Sequence, residues 1–179
     1  MVASRQNNLM QSDQNSLPYT DTKLTGAADF YMAINATFCF INRRFGMTGL
    51  ERYWTELGTR YFAPVSKKWN EGGPAAISAY WRAFFDAEPA AEVDVSAAPD
   101  MVIVEVKVCP AIKHLRDNKR EVLPCFCRHC YFISEAIASP AGFTVRVKGG
   151  NGTCRQTFQR REVEVAAQNM DDIREAGSC

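Results

Sequence analysis

The chain has 179 residues, of which 46% are hydrophobic and 23% charged. This length is enough for one domain around a single core, and the composition is that of an ordinary globular protein. Its formal net charge of +1 gives no field that would gather nucleic acid or anionic lipid, so we expect neither nucleic acid nor a membrane as a partner. No segment reaches the roughly 18 apolar residues of a membrane span, and residues 1–23 contain no apolar signal core, so we expect a cytoplasmic protein with reduced thiols.

The N-terminal part is predicted to be helical after a polar arm. Residues 1–25 are rich in Gln, Asn, Ser, Asp and Thr, which predicts a flexible arm followed by a single domain over residues 26–179. Apolar residues then recur at three- and four-residue steps. This spacing predicts a core-facing helix that ends at Gly46 and buries Phe30, Ile34, Phe38, Ile41 and Phe45.

Two further helices are predicted before residue 90. Thr48 and Glu51 form a capping box that opens a helix through "LERYWTELGTRYF", and Pro64 is expected to close it. The stretch "GGPAAISAYWRAFFDAEP" predicts a third helix with Pro74 in its first turn, where a missing N–H is tolerated. The many aromatic residues of this half leave two interpretations open, a helix-packing core or the lining of a ligand pocket.

Beyond Pro89 the hydrophobic period changes from helical to two. "AEVDVSAA" and "MVIVEVKVC" predict an antiparallel hairpin with one face formed by Val102, Val104, Val106 and Val108. "ISEAIA" predicts a helix up to Pro140, and two strands follow around the turn "GGNG". This order predicts an α+β fold, in which N-terminal helices pack on one face of an antiparallel meander sheet with one inserted helix that carries a CxxC motif.

The cysteines give the strongest functional signal. Cys127 and Cys130 form a CxxC at a predicted helix start, where unpaired N–H groups favour the thiolate. Cys109 and Cys154 stand at strand termini, so we expect all four sulfur atoms to meet. A thiolate is both a metal ligand and a nucleophile. The cluster therefore predicts either a metal site, with zinc first and iron second, or a metal-free reactive thiol.

The other cysteines and the two histidines are weaker candidates. We expect Cys39 to be a small buried hydrophobe on the first helix and Cys179 to be an exposed thiol. Cys125 is either a fifth thiol of the site or a loop residue. Histidine as a residue type can carry protons near neutral pH, so His129 and His114 are each either a proton carrier of the site or a histidine outside it.

Three motifs together resemble the L-2-amino-thiazoline-4-carboxylic acid hydrolase family, itself similar to the 4-vinyl reductase-like domains. They are "VCPAIKHL", "FCRHCYFISEAIA" and "GGNGTCRQTF", within roughly residues 100 to 160. The resemblance places Cys109 on the family's Cys-Pro cysteine, Cys127 on the first cysteine of its central motif and Cys154 on its late cysteine. Cys130 stands where the family has an aspartate. A thiolate is a softer metal ligand than a carboxylate and suits zinc better, and this departure puts hydrolysis of the thiazoline itself in question.

The resemblance implies a hydrolase that opens a small cyclic amidine or amide at a C–N bond. Cys127 is then the nucleophile or a metal ligand, and His129 or His114 moves protons. The alternative is a non-catalytic, zinc-stabilised module that binds a small molecule between its aromatic helices, because four thiolates on zinc form a closed structural site. A CxxC redox protein is the third hypothesis, disfavoured by the antiparallel pattern. The sequence identifies neither the substrate nor the oligomeric state.

Overall fold

The computed structural model describes residues 28–88 and 90–177. The predicted N-terminal arm over residues 1–25 and the predicted exposed thiol of Cys179 lie outside the described residues. No helix in these two ranges combines the length and the apolar character that crossing a membrane requires.

Two long helices with glycine breaks form the N-terminal half. Helix α1 (Phe30–Glu56) is interrupted at Gly46, whose φ of 67° and ψ of −173° are not helical, so the boundary predicted at this glycine is present. A π-helical turn (Leu57–Tyr61) leads into α2 (Ala63–Asp86). The prediction that Pro64 ends a helix is wrong, because Pro64 lies in the first turn of α2, where its missing N–H is tolerated.

Helix α2 contains a second break at the position where the sequence predicts a helix start. Gly73 has φ 56° and ψ −144°, and Pro74 begins the regular segment that follows it. The two aromatic side chains Trp54 and Trp69 are 0% and 1% exposed. The indole rings of Trp54 and Trp69 therefore belong to the helix-packing core, which was the first of the two interpretations of the aromatic residues.

Five strands form one mostly antiparallel sheet: β1 (Glu92–Ala98), β2 (Met101–Val108), β3 (Phe143–Gly150), β4 (Thr153–Arg160) and β5 (Ile173–Arg174). Their spatial order is β1-β2-β4-β3-β5, with only β5 parallel to its neighbour β3. The order departs from a simple meander because β4 lies between β2 and β3. The connection from β2 to β3 therefore has to pass across the sheet.

This crossing connection contains two helices where the sequence predicted one. Helix α3 (Pro110–Asp117) follows β2 directly, and a 3₁₀ turn (Pro124–Cys127) leads into α4 (Arg128–Ala138). Cys127 is the last residue of the 3₁₀ turn and Cys130 lies in the first turn of α4. The CxxC motif therefore spans a junction between two elements.

The helices cover one face of the sheet, which confirms the predicted α+β fold. Val102, Val104 and Val106 point into a core that α2 and α4 complete with Trp69 and Ile137, as the two-residue period predicted. A second cluster joins α1, α3 and the 3₁₀ turn, and it contains Phe38, Leu50, Trp54, Ile112, Leu115 and Phe126. Cys109 and Cys127 pack against both clusters, so the predicted site residues lie where the two cores meet.

The β3–β4 turn is built on backbone conformations that favour glycine. Gly149, Gly150 and Gly152 have φ of 102°, 134° and 111°. A Cβ on Gly150 would lie 2.4 Å from the carbonyl oxygen of Arg174 in β5, a contact that neither backbone can relieve easily. The turn can therefore keep both its shape and its β5 partner only with glycine at this position.

Replacing Gly150 with alanine is expected to lower the free energy of unfolding by about 2–3 kcal/mol, because backbone strain and a backbone clash add. Gly142→Ala is the matched control, since Gly142 has φ 80° but no atom within 4 Å of an added Cβ. That variant should lose about 1 kcal/mol. Urea denaturation of both variants measures the difference, and equal losses would contradict the role of the β5 contact.

Candidate active site

Four thiols lie close together at one end of the sheet. Cys109 follows β2, Cys154 is the second residue of β4 and is paired with Val106, and Cys127 and Cys130 flank the start of α4. All four are free thiols, and each interacts electrostatically with the other three. We call Cys109, Cys127, Cys130 and Cys154 the thiol cluster. Their segments are far apart along the chain, and the sheet register brings them together.

The glycine turn between β3 and β4 holds two members of the cluster in place. The backbone N–H of Cys109 donates to the carbonyl of Gly152 at 2.9 Å. The backbone N–H of Asn151 donates to Sγ of Cys127 at 3.3 Å. Pro110 fixes the chain direction after Cys109, which adopts an extended conformation before α3. The turn "GGNG" thus contacts the segments of both Cys109 and Cys127, which lie far from it in the chain.

Cys130 forms a pair with the imidazole of its neighbour His129. Sγ of Cys130 lies 3.6 Å from Nε2 of His129, and Nδ1 of the same ring lies 2.5 Å from the carbonyl oxygen of Phe126. A carbonyl only accepts hydrogen bonds, so the geometry assigns the ring proton of neutral His129 to Nδ1. Nε2 is then an acceptor, and the Cys130 thiol donates to it.

Aromatic rings surround His129 and set its protonation state. Its ring centroid lies 4.8 Å from that of Phe126, 5.4 Å from that of Phe38 and 6.4 Å from that of Trp54. Burial among these rings lowers the pKa of His129, and the hydrogen bond to the carbonyl of Phe126 opposes this only in part. The imidazole is therefore neutral at pH 7 and available as a base.

Burial also keeps the thiol cluster protonated. It raises the pKa of Cys109 to about 11 and the pKa values of Cys127 and Cys130 to about 12, and it raises the pKa of Cys154 further. The neighbouring thiols add to the rise for Cys109, Cys127 and Cys154, while the Arg116 guanidinium opposes it for Cys109 and Cys127. A thiolate is thus not the resting state, and chemistry at a thiol requires a base beside it.

Two ionisable residues that the sequence analysis missed, Tyr31 and Glu88, interact with each other. The Tyr31 hydroxyl, on the first turn of α1, donates a hydrogen bond to the carboxylate of Glu88, which follows α2. Burial raises the pKa of the Tyr31 hydroxyl, and the Glu88 carboxylate, Cys109 and Cys130 add to the rise. In the sequence, Tyr31 looks like one more helix aromatic and Glu88 like a residue at a helix end. No local signal distinguishes them.

The predicted metal site at the thiol cluster stays a prediction. Within residues 28–88 and 90–177, no group of three or more His, Cys, Asp or Glu side chains is placed to hold a metal ion. A zinc–thiolate site needs deprotonated sulfurs at about 2.3 Å from one ion. The geometry thus gives no support to a zinc or iron site at Cys109, Cys127, Cys130 and Cys154, and we assign no chemical step to a metal.

Chelation tests the predicted zinc. If the four thiols hold no metal, exposure to EDTA or 1,10-phenanthroline is expected to leave the melting temperature unchanged within about 1 °C, because chelators unfold only a chain that a bound metal stabilises. Differential scanning fluorimetry with and without chelator, together with elemental analysis of the untreated protein, makes the measurement. One tightly held zinc whose removal unfolds the chain would restore the zinc-stabilised alternative.

The remaining candidate residues lie outside the cluster. The His114 ring, on α3, lies 6.4 Å from the Tyr31 ring, and its Nε2 lies 3.4 Å from Oδ1 of Asp29. In the described part of the chain, no hydrogen bond joins His114 to a thiol. Cys39 and Cys125 pack against the second core cluster. Of the predicted proton carriers, only His129 contacts a thiol directly.

A groove of about 740 Å³ lies on the sheet face opposite the helices. Its lining includes the outward residues Glu105, Lys107, Lys148 and Arg155, with charges of both signs. Cys154 also borders it, but the two-residue period places the Cys154 side chain on the inward face with the buried residue Phe158. The groove is therefore distinct from the buried contact between Cys130 and His129.

Comparison of the chain with protein family models, with curated proteins and with solved structures finds no match. The resemblance to the thiazoline carboxylate hydrolases stays a prediction from the three cysteine motifs.

Proposed function

We propose that the protein is a cysteine-dependent hydrolase that cleaves a C–N bond in a small amidine or amide, with Cys130 as nucleophile and His129 as general base. The observation that carries this proposal is the contact of 3.6 Å between Cys130 Sγ and His129 Nε2, with Nδ1 held by the carbonyl of Phe126. A nucleophile, a base and a group that orients the base are the three parts that covalent catalysis requires. Cys130 thus replaces Cys127 as the proposed nucleophile.

The proposed reaction has two stages. Sγ of Cys130 attacks the trigonal carbon of the substrate while its proton moves to Nε2 of His129. The tetrahedral adduct then collapses, and the leaving nitrogen takes that proton from Nε2 as the C–N bond breaks. In the second stage His129 removes a proton from water, which attacks the thioester or thioimidate, and the proton returns to the Cys130 sulfur as it leaves.

The raised thiol pKa explains why the base is needed. With a pKa of about 12 for Cys130, only about one molecule in 10⁵ holds the thiolate at pH 7. Concerted proton transfer to a neutral imidazole avoids this unfavourable equilibrium. His129 suits that role, because its aromatic surroundings keep it unprotonated before the attack.

The substrate class follows from the resemblance, which implies ring opening of a 2-amino-thiazoline-4-carboxylate-like compound. We extend it to small cyclic amidines and amides, because attack by a thiol followed by loss of nitrogen is common to them. The alternative of a zinc-stabilised binding module has no supporting observation in the described residues.

Trapping the covalent intermediate tests the proposal. The protein is mixed with the thiazoline carboxylate, quenched with acid within one turnover, and digested with trypsin. Cleavage after Arg128 separates Cys130, in peptide 129–146, from Cys125 and Cys127, in peptide 121–128. We expect the substrate-derived mass on peptide 129–146. Substrate loss with the adduct on peptide 121–128, or no substrate loss at all, would contradict the proposal.

A further inference from the structure

A small pocket lies where the start of α2 meets the end of α4. It has a volume of about 270 Å³, and its lining includes Ser66, Lys67 and Asn70 of α2 together with Ala136 of α4. Cys130 lies in the first turn of α4, whereas Ala136 lies near the other end of that helix. The pocket is therefore separate from the thiol cluster, and its occupancy is independent of the proposed hydrolase function.

Close backbone packing shapes the walls of this pocket. The π-helical turn before α2 approaches α4 so closely that a Cβ added to Gly58 would lie 2.5 Å from Cβ of Ala136 and 2.8 Å from the carbonyl oxygen of Ile133. Pro140, in the 3₁₀ turn (Ser139–Ala141) that follows α4, lines another side. Ala136 and Pro140 therefore give the pocket an apolar wall opposite the polar side chains of α2.

Ser66 lines this pocket with a hydroxyl that lacks a partner. Only 7% of Ser66 is exposed. Its backbone N–H donates to the carbonyl of Phe62 at 3.1 Å, but across residues 28–88 and 90–177 no hydrogen bond involves its hydroxyl. A hydroxyl that is removed from water without a partner costs free energy. A polar group of a ligand in the pocket supplies the missing partner.

The electrostatics of the pocket favour a negatively charged group. Helix α2 begins beside it, and no side chain caps the N-terminus of this helix, so unpaired N–H groups and the positive end of the helix dipole lie at the pocket. Ser66 and Asn70 are four residues apart and share one face of α2, with Lys67 beside them. All three side chains carry hydrogen-bond donors, and the lining contains no aspartate or glutamate.

We propose that this pocket binds a small organic carboxylate, which accepts hydrogen bonds from the Ser66 hydroxyl and the Lys67 ammonium and places its apolar end against Ala136 and Pro140. The volume of about 270 Å³ lies below the roughly 300–1,000 Å³ of pockets for drug-sized ligands, so the ligand has only a few carbon atoms. One lysine matches the single charge of a carboxylate, whereas a phosphate monoester carries about −1.5 to −2 at pH 7.

Titration of the isotope-labelled full chain, followed by NMR, tests this proposal. The probes are butyrate, the neutral compound butyramide, which has a similar size, and inorganic phosphate. We expect saturable butyrate shifts at the amides of residues 58–70 and 136–140, and weaker binding of butyramide and phosphate. Ser66→Ala and Lys67→Gln should each weaken butyrate binding about fivefold, because each removes one hydrogen bond to the carboxylate. Lys67→Gln should leave the Kd of butyramide unchanged.

Lys68→Gln and Ser78→Ala are the matched controls. Lys68 is the next lysine of α2 and is exposed, and Ser78 is a serine of the same helix that is 5% exposed; neither lines the pocket. Both variants should leave the Kd of butyrate unchanged. Equal effects of Lys67→Gln and Lys68→Gln, equal binding of butyrate and butyramide, tighter binding of phosphate, or no saturable shift at residues 58–70 would each overturn the proposal. Melting curves confirm that each variant is folded.

Discussion

Cys130→Ala is expected to lower kcat/KM for the thiazoline carboxylate by at least about 10³-fold, because the variant lacks the atom that forms the covalent intermediate. The loss should appear in kcat, since the thiol acts in the chemical step. Steady-state assays of substrate loss measure it. Removing one buried sulfur should cost only about 1–2 kcal/mol of stability, so the variant remains folded for the assay.

Two other cysteine variants are controls for this result. Cys127→Ala should lower kcat/KM less than about tenfold, because the Cys127 sulfur accepts a hydrogen bond from Asn151 and no histidine contact activates it. Cys125→Ala, in the same 3₁₀ turn, should have a similarly small effect. If Cys127→Ala abolished turnover and Cys130→Ala retained it, the nucleophile would be Cys127, as the resemblance to the hydrolase family implies.

His129→Gln is expected to lower kcat/KM by about 10²- to 10³-fold, because proton transfer from the Cys130 thiol loses its acceptor. Glutamine keeps a polar side chain in the aromatic surroundings, so this variant limits the loss of packing that alanine would cause. His114→Gln is the matched control and should change kcat/KM less than about threefold, since His114 lies beside Tyr31 and Asp29. A reversed order of these effects would assign the base to His114.

The pH profile separates a catalytic base from a structural histidine. Burial places the pKa of His129 below its ordinary value of 6.5, so the neutral base persists at pH 7 and is lost only in more acid solution. We expect kcat/KM of the parent protein to stay constant from about pH 6.5 to 8 and to fall below that range, and this acid limb should be absent in His129→Gln. An acid limb of the same shape in the variant would contradict the assignment.

The same shift affects folding stability with a definite sign. Above the unfolded-state pKa the histidine is neutral in both states and contributes no pH dependence. As the pH falls through 6.5, the unfolded chain binds a proton that folded His129 binds only at lower pH, so the folded state is destabilised relative to the unfolded one. The His129 contribution therefore lowers stability on the acid side, and His129→Gln should remove it.

The sequence by itself determined the local features of this protein. The two-residue period identified the inward face of β2 with Val102, Val104 and Val106, because a strand's side chains alternate whatever lies beside them. Gly46 and Pro74 marked helix boundaries for equally local reasons. The positions of Cys109 and Cys154 at strand ends were likewise visible, since the ends of strands follow from the pattern.

Only the tertiary structure decided which of these groups act together. The pairing of Cys130 with His129 depends on the ring direction fixed by the carbonyl of Phe126 and by Phe38 and Trp54 on α1. The interaction of Tyr31 with Glu88 likewise joins the first turn of α1 to the end of α2. The strand order β1-β2-β4-β3-β5 also follows from the tertiary structure. Cys130, His129 and Phe126 are close in the chain, but Phe38 and Trp54 are far from them. A local pattern of side chains holds no information on which distant segments the packing of two cores brings together.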